Sequence, residues 1–176
     1  ESTIIEIEKD ITRLQTITDR FSKIGSEPVL ERRNIIEDTK NTVDYLQSRV
    51  SQQVVFSFKA PENPIYVNIN PALHSWTIEN LVKNAIDAMK GKGSLSIVIS
   101  ELEDIVKISI TDTGKGIPKN QFTKVFEPGF TTKKRGWGLG LSLTKRIVQE
   151  YHKGKIKVVH SEIGKGTTMQ ISYKTT

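Results

Sequence analysis

The stretch ENLVKNAIDA at residues 79–88 decides the fold, because its side chains divide into three separate lines along a helix. With about 3.6 residues per turn, the apolar residues share one broad arc, which we predict to be the core face. This arc contains Ile78, Leu81, Val82, Ala85, Ala88 and Met89, whereas Glu79, Lys83 and Lys90 form a solvent arc. Asn80, Asn84 and Asp87 form a third, narrow polar stripe at i, i+4 and i+7.

The polar stripe is open to two interpretations. Asparagine is a mediocre helix former, so two of them one turn apart within a helix need a reason. One reason is a capping or buried hydrogen-bonding role. The other is a stripe that faces a polar ligand, with an amide oxygen available to Mg²⁺.

A second decisive stretch, DTGKGIP at residues 112–118, follows directly on a predicted strand. Two glycines two residues apart allow the backbone to turn sharply and to approach a flat ligand closely. The carboxylate of Asp112 could accept a hydrogen bond from an exocyclic amine. The alternative is a plain strand-ending turn.

Two further glycine-rich stretches follow. GWGLGL at residues 136–141 leads into a predicted helix, and amide groups at a helix N-terminus favour an anion. The spacing is that of neither the dinucleotide fingerprint nor the P-loop. GKGTT at residues 164–168 precedes the last predicted strand and by itself indicates a hairpin turn.

The surrounding pattern predicts an α/β fold. Helices are expected at 30–50, 71–89 and 139–151, and strands at 54–58, 65–69, 95–102, 105–111, 155–160 and 167–173. Residues 112–137 are predicted to be rich in loops. Strands outnumber crossover helices and neighbouring strands form hairpins, so we expect a mixed sheet layered on helices and not a doubly wound one.

A separate helix is predicted over residues 2–24, where apolar residues recur every three or four positions from Ile4 to Ile24. The break at residues 25–28 divides the chain into a helical segment, 1–25, and a domain, 26–176. The periodicity alone does not decide whether this helix packs on its own domain or on an intermolecular bundle.

Composition narrows the class of function. The 176-residue chain has a net charge of +6, no cysteine and three histidines, which excludes disulfides and makes a zinc site improbable. No apolar run approaches the roughly 20 residues that a membrane span needs, and no signal peptide is evident, so the cytoplasm is the expected compartment. The basic cluster Lys133-Lys134-Arg135 lies between two threonines and a glycine run, a context that favours a bound phosphate over nucleic acid.

Taken together, the four stretches resemble the ATP-binding domain of the GHKL superfamily, which comprises gyrase, a heat-shock chaperone, mismatch-repair ATPases and histidine kinases. The resemblance covers residues 29–174. Phe122 and VFEPGFTTK at 125–133 look like the phenylalanine box of histidine kinases. Asn80 stands where the hydrolase branches carry a water-activating glutamate, and an amide cannot act as a general base. The resemblance therefore implies a protein-histidine kinase of two-component systems.

This resemblance implies a two-layer α/β sandwich of the Bergerat type, with ATP and Mg²⁺ as cofactors. Asp112 would hold the adenine amine, with Thr167 helping through a water. Asn84 would bind the metal beside Asn80, and Lys133 would hold phosphate in a lid over residues 120–137. The implied catalytic residues are Asn80, Asn84 and Lys133, and the implied nucleotide contacts are Asn84, Asp87, Asp112, Gly114, Gly116, Ile117, Phe126, Thr131, Thr132, Lys133, Gly138, Leu139, Gly140, Leu141 and Thr167.

The same resemblance extends to partners. ITRLQTITDRFS at residues 11–22 looks like the second helix of the kinase dimerisation hairpin, which implies a homodimer through this helix. The acceptor histidine would precede residue 1, and the phosphoryl group would pass to a response regulator. His74, His152 and His160 are interpreted as structural or exposed. We expect no contact with nucleic acid or membrane. An ATP hydrolase and a non-catalytic nucleotide-binding or dimerisation module remain the alternatives.

Overall fold

In the computed structural model the chain is described at Thr12, at residues 28–130 and at residues 140–176. Thr12 is helical and exposed. The rest of the predicted first helix, and with it the predicted segment 1–25, lies outside the described residues. So do five predicted nucleotide contacts, which are Thr131, Thr132, Lys133, Gly138 and Leu139.

Residues 28–130 and 140–176 contain seven strands and three α-helices, together with three short helical turns. The strands are β1 (Glu31–Asn34), β2 (Val54–Lys59), β3 (Tyr66–Ile69), β4 (Gly93–Leu102), β5 (Ile105–Asp112), β6 (Lys155–Glu162) and β7 (Gly166–Lys174). The helices are α1 (Ile35–Gln47), α2 (Pro71–Ala88) and α3 (Gly140–Arg146). Two 3-10 turns cover Lys119–Gln121 and Lys124–Phe126, and a π-helical turn covers Ile147–Tyr151.

The main sheet has the strand order β2-β4-β5-β7-β6, in which only β2 and β4 run parallel. Strand β5 shows how the sequence builds one layer against another: Val106, Ile108 and Ile110 are buried, and the residues between them face the other side of the sheet. Five of the six residues of the predicted core face of α2 are buried and Ala88 is half-buried; the five are Ile78, Leu81, Val82, Ala85 and Met89. The prediction of a two-layer α/β sandwich with a mixed sheet is confirmed.

The start of the first domain helix was predicted wrongly. The sequence pattern placed it at residue 30, but residues Glu31–Asn34 form β1, which pairs antiparallel with β3. Helix α1 begins only after Asn34, whose side chain accepts a hydrogen bond from the amide of Ile36 at 3.2 Å. The partner strand lies beyond α1 and β2 in the sequence, so the local pattern contains no sign of this pairing.

The C-terminal helix also departs from the prediction, since its regular part ends at Arg146 and a π-helical turn follows. The wider turn brings the amide of His152 to 2.9 Å from the carbonyl of Ile147. It also places the His152 ring at the start of α2, where Nε2 accepts a hydrogen bond from the amide of Asn70 at 3.1 Å.

Two of the three histidines belong to the core. His74 is fully buried, with Nε2 at 2.9 Å from the hydroxyl of Thr39. The ring of Tyr173 lies edge-on to both buried histidines, at 6.2 Å from His74 and 5.8 Å from His152. Burial lowers the pKa of His74 to about 3, aided by His152, and it lowers the pKa of His152 to about 4. His160 is exposed on β6.

We expect acid to destabilise the domain through these two histidines. Both pKa values are lowered by folding from 6.5, so below pH 6.5 the unfolded chain binds protons that the folded chain does not. The contribution of the two histidines to stability is therefore fully present above pH 6.5 and is lost as the pH falls. The free energy of unfolding should decrease by about 2 kcal/mol between pH 7 and pH 5.5, as measured by urea denaturation.

Two variants separate the histidines from other titrating groups. His152→Gln keeps an acceptor for the Asn70 amide and should reduce the pH slope by about half. His160→Gln replaces an exposed ring and is the matched control for the loss of one histidine. Equal slopes in all three proteins would show that the buried histidines are not the cause.

Candidate functional site

The candidate site is centred on Asp112, which ends β5 and is only 8% exposed. One of its carboxylate oxygens accepts a hydrogen bond from the amide of Gly114 at 2.8 Å, and the amide of Thr167 donates to the carboxylate as well. Burial raises the pKa of this carboxyl, and the two N–H donors act in the opposite direction. A carboxylate has about four acceptor positions, so this fixed group keeps capacity for another donor.

The loop after Asp112 is held on one side by the end of α2. The amide of Lys115 donates to the carbonyl of Ala88 at 3.0 Å. A Cβ on Gly114 would come within 2.6 Å of the same carbonyl oxygen, so a larger residue would separate the loop from the helix. The loop is thus fixed at the end of α2 that follows the polar stripe.

The turn between β6 and β7 holds the loop on the other side. The amide of Gly164 donates to the carbonyl of Lys115 at 2.8 Å. Gly116 has φ +80°, and a Cβ there would overlap the carbonyl of Glu162; a Cβ on Gly166 would likewise overlap the carbonyl of Asp112. Protein packing is therefore one reason for glycine at 116, in addition to the ligand approach expected from the sequence.

Ser161 is a part of this arrangement that the sequence did not reveal. Its hydroxyl accepts from the amide of Ile117 at 2.7 Å and lies 2.7 Å from the hydroxyl of Thr167. Strict alternation from Val158 would turn Ser161 to the outer face. A bulge between Val158 and His160 reverses the alternation and brings Ser161 to the loop.

The polar stripe of α2 joins this loop to the start of α3. Asn80 donates through Nδ2 to the hydroxyl of Thr144 at 2.8 Å, and a Cβ on Gly140 would lie 2.9 Å from Asn80 Oδ1. Asn84 is half-buried and Asp87 is exposed. From residue 80 to residue 88 the helix rises about 12 Å, so the stripe connects two ends of an elongated site.

The segment before residue 131 is anchored by aromatic side chains. Val125 and Phe126 are buried, and Phe122 and Phe130 pack against the same core. The ammonium group of Lys145 lies 5.9 Å from the centre of the Phe126 ring. The predicted loop thus contains two short helical turns, and Phe126 fixes them to the core. Ile117 and Leu141, both predicted nucleotide contacts, are half-buried against this core.

Together, a mixed sheet layered on helices, a buried carboxylate at a strand end and an asparagine stripe define a nucleotide-binding domain of the α/β sandwich class. Residues 72–176 match the family described as histidine kinase-, DNA gyrase B- and HSP90-like ATPase. The chain belongs to this family, and it is an ATP-binding domain of the kind found in sensor histidine kinases.

Two curated relatives are sensor or sporulation kinases. The chain is 32% identical over 174 residues to sporulation kinase E of Bacillus subtilis strain 168, an alignment that covers 94% of the chain and 23% of the relative. It is 38% identical over 125 residues to the sensor histidine kinase ZraS of Escherichia coli K12, which covers 71% of the chain and 26% of the relative. The chain thus spans about a quarter of the length of these relatives.

Solved structures give the same class. The catalytic domain of histidine kinase ThkA superposes with a TM-score of 0.74 at 26% identity, covering 82% of this chain and 95% of that one. ThkA in complex with the response regulator TrrA gives a TM-score of 0.75 at 26% identity, covering 100% of this chain and 51% of that one. Among the described residues, no helix has the length and apolar character needed to span a bilayer.

The packing of the loop can be measured with two glycines of equal conformation. Gly116 and Gly164 both have φ +80°, but a Cβ at 116 would overlap the backbone of Glu162, whereas a Cβ at 164 has no atom within 4 Å. Gly164→Ala should therefore cost only the conformational strain, about 1–2 kcal/mol. Gly116→Ala should cost about 1–3 kcal/mol more. Thermal or urea unfolding measures the difference, and equal losses would show that the loop is not packed tightly against the β6–β7 turn.

Proposed function

We propose that this chain is the catalytic domain of a sensor histidine kinase, which transfers the γ-phosphoryl group of Mg-ATP to a histidine outside residues 1–176. Membership of the family and the kinase relatives support the class of reaction. The structural observation that favours a transferase over a hydrolase is the environment of the Asn80 side chain. Its amide cannot accept a proton, and its Nδ2 is already bonded to Thr144 at 2.8 Å.

Adenine recognition is assigned to Asp112. The two backbone N–H groups keep the carboxylate in one orientation, so it can accept the exocyclic amine of adenine without reorganisation. Guanine has a carbonyl at the corresponding position and would face a carboxylate with no proton to share. Thr167 and the surrounding glycines, 114 and 116, complete the base end of the site.

The phosphate end of the site is assigned to the other end of the polar stripe. Asn84 would bind Mg²⁺ through its amide oxygen, a hard ligand of the kind this ion prefers, with Asn80 beside it. Lys133 and the amides of Gly138 and Gly140 would hold the phosphates, and Thr131, Thr132, Leu139 and Leu141 would be further nucleotide contacts. Bound Mg²⁺ would supply neutralisation of the phosphate charge, and positioning is most of what phosphoryl transfer otherwise requires.

Partners follow from the same proposal. The segment at residues 11–22 would form the second helix of a dimerisation hairpin, and a response regulator would receive the phosphoryl group. The complex of ThkA with TrrA shows one such kinase with its response regulator. We propose no nucleic-acid or membrane partner for this domain.

Nucleotide preference tests the base end of the site. Asp112→Asn replaces one acceptor oxygen by an amino group, which would repel the adenine amine and could donate to the guanine carbonyl. We expect the wild-type chain to bind ATP and ADP but not GTP by calorimetry, and the variant to lose this preference. Asp104→Asn, an exposed carboxylate on the β4–β5 turn, is the control for loss of charge. Equal affinities of the wild-type chain for ATP and GTP would rule out the assignment.

Incubation with γ-labelled Mg-ATP tests the reaction. None of the histidines of the 176-residue chain should acquire the labelled phosphate. His74 and His152 are buried, and His160 lies on an edge strand and not on a helix that could present it to the γ-phosphate. Phosphate release should also be slow, because position 80 offers no base. Addition of the parental sequence that precedes residue 1 should produce an acid-labile phosphohistidine. Stable label on one of the three histidines would contradict the external acceptor, and rapid phosphate release would place the chain with the hydrolases.

A further inference from the structure

Thr144 lies in α3, is fully buried, and makes two hydrogen bonds of equal length. Its hydroxyl donates to the carbonyl of Gly140, one turn earlier, at 2.8 Å. The same oxygen accepts from Nδ2 of Asn80 at 2.8 Å, across the contact between α3 and α2. The sequence singled out Asn80 and Gly140 but not Thr144.

The hydroxyl of Thr144 has a single proton, and this proton is used on Gly140. Towards Asn80 the oxygen can therefore act only as an acceptor. The planar amide of Asn80 must present its NH₂ group to Thr144, so its carbonyl oxygen Oδ1 points the other way. In this orientation Oδ1 is the amide atom nearer to Gly140, since a Cβ there would lie 2.9 Å from Oδ1 and 3.3 Å from Nδ2.

A reversed amide would be costly. Rotation by half a turn would bring Oδ1 of Asn80 against the oxygen of Thr144, where two acceptors would meet without a proton. Thr144 could relieve this only by withdrawing its proton from the carbonyl of Gly140. The loss of that side-chain hydrogen bond costs about 0.5–1.5 kcal/mol, so the observed orientation is favoured.

We propose that Thr144 is a positioning residue that holds the carbonyl oxygen of Asn80 towards the phosphate end of the site. The proposal rests on the function proposed above, in which Asn80 lies beside Mg²⁺. An oxygen there can bind the metal or accept a hydrogen bond from one of its waters, whereas an NH₂ group can do neither. Without the hydroxyl of Thr144 the amide would be free to adopt either orientation.

The quantity to measure is the Mg²⁺ dependence of ATP binding, defined as the ratio of ATP affinity in saturating Mg²⁺ to that in EDTA. Thr144→Val preserves the shape of the side chain and removes the hydroxyl. We expect the ratio to fall about five- to tenfold, the effect of one hydrogen bond. Affinity in EDTA should change less than twofold, and Thr144→Ser should restore the wild-type ratio.

Thr77 offers a matched control. It is equally buried, and its hydroxyl donates to the carbonyl of Leu73 one turn earlier at 2.9 Å, so Thr77→Val removes the same kind of bond. Unlike the bond between Thr144 and Asn80, this hydrogen bond joins two residues of the same helix, α2. Thr77→Val should reduce thermal stability by an amount similar to that of Thr144→Val and leave the ratio unchanged.

Two further variants test whether the effect passes through Asn80. In an Asn80→Ala background, Thr144→Val should have no further effect on the ratio. Gly140→Ala places a methyl group against the Asn80 amide and should lower the ratio even if Thr144→Val does not fold. A fall in the ratio as large in Thr77→Val, or one that persists in the Asn80→Ala background, would overturn the positioning role.

The measurements also separate this proposal from the one on which it rests. If the wild-type chain does not bind Mg-ATP, the proposed function fails. If it binds Mg-ATP normally and Thr144→Val retains the full Mg²⁺ dependence, only the role of Thr144 fails.

Discussion

Three backbone segments meet without side chains between them at the end of β5, and the candidate site depends on this contact. Gly114 faces the last carbonyl of α2, Gly116 faces the backbone of the β6–β7 turn, and Gly166 faces the carbonyl of Asp112. A Cβ at any of these positions would separate two of the segments. Close contact of this kind allows short backbone hydrogen bonds, such as the one from Gly164 to Lys115 at 2.8 Å.

The contact explains why a carboxylate can be held at this place. Burial of Asp112 disfavours its charged form and raises its pKa, which by itself would favour a neutral acid. The N–H groups of Gly114 and Thr167 offset part of this cost, and both are positioned by the glycine contacts. The carboxylate is therefore oriented before any ligand arrives, so binding does not have to include the cost of ordering it.

Most of the fold could be predicted from the sequence because most elements face a single core. The alternation in β5 and the arc of apolar residues on α2 both result from burial against this core. Strand β1 could not be predicted, because it pairs with β3, on the far side of α1 and β2. The inward orientation of the Ser161 side chain could not be predicted either, since it depends on a bulge that reverses the alternation in β6.

The sequence alone singles out residues of the candidate site, but it does not reveal the residues that hold them in place. Asn80 and Asp112 stand out because an amide within a helix and a carboxylate before two glycines are unusual choices for those places. Their partners come from elsewhere in the chain: Thr144 is 64 positions from Asn80, and the Thr167 amide belongs to the last strand. Local sequence patterns therefore identify candidate ligand-binding groups more readily than the residues that form hydrogen bonds with them.

The support around Asn80 also bears on why this position carries an amide. A carboxylate in the same place would have no proton to give to Thr144, whose own proton is used on the carbonyl of Gly140. Thr144 would have to turn its proton to the carboxylate and leave that carbonyl without its side-chain partner. The hydrogen bonds at the start of α3 therefore require a donor at position 80, which an amide supplies and a carboxylate does not. An amide also provides no base to activate water, which agrees with the proposed transfer of phosphate to a histidine and not to water.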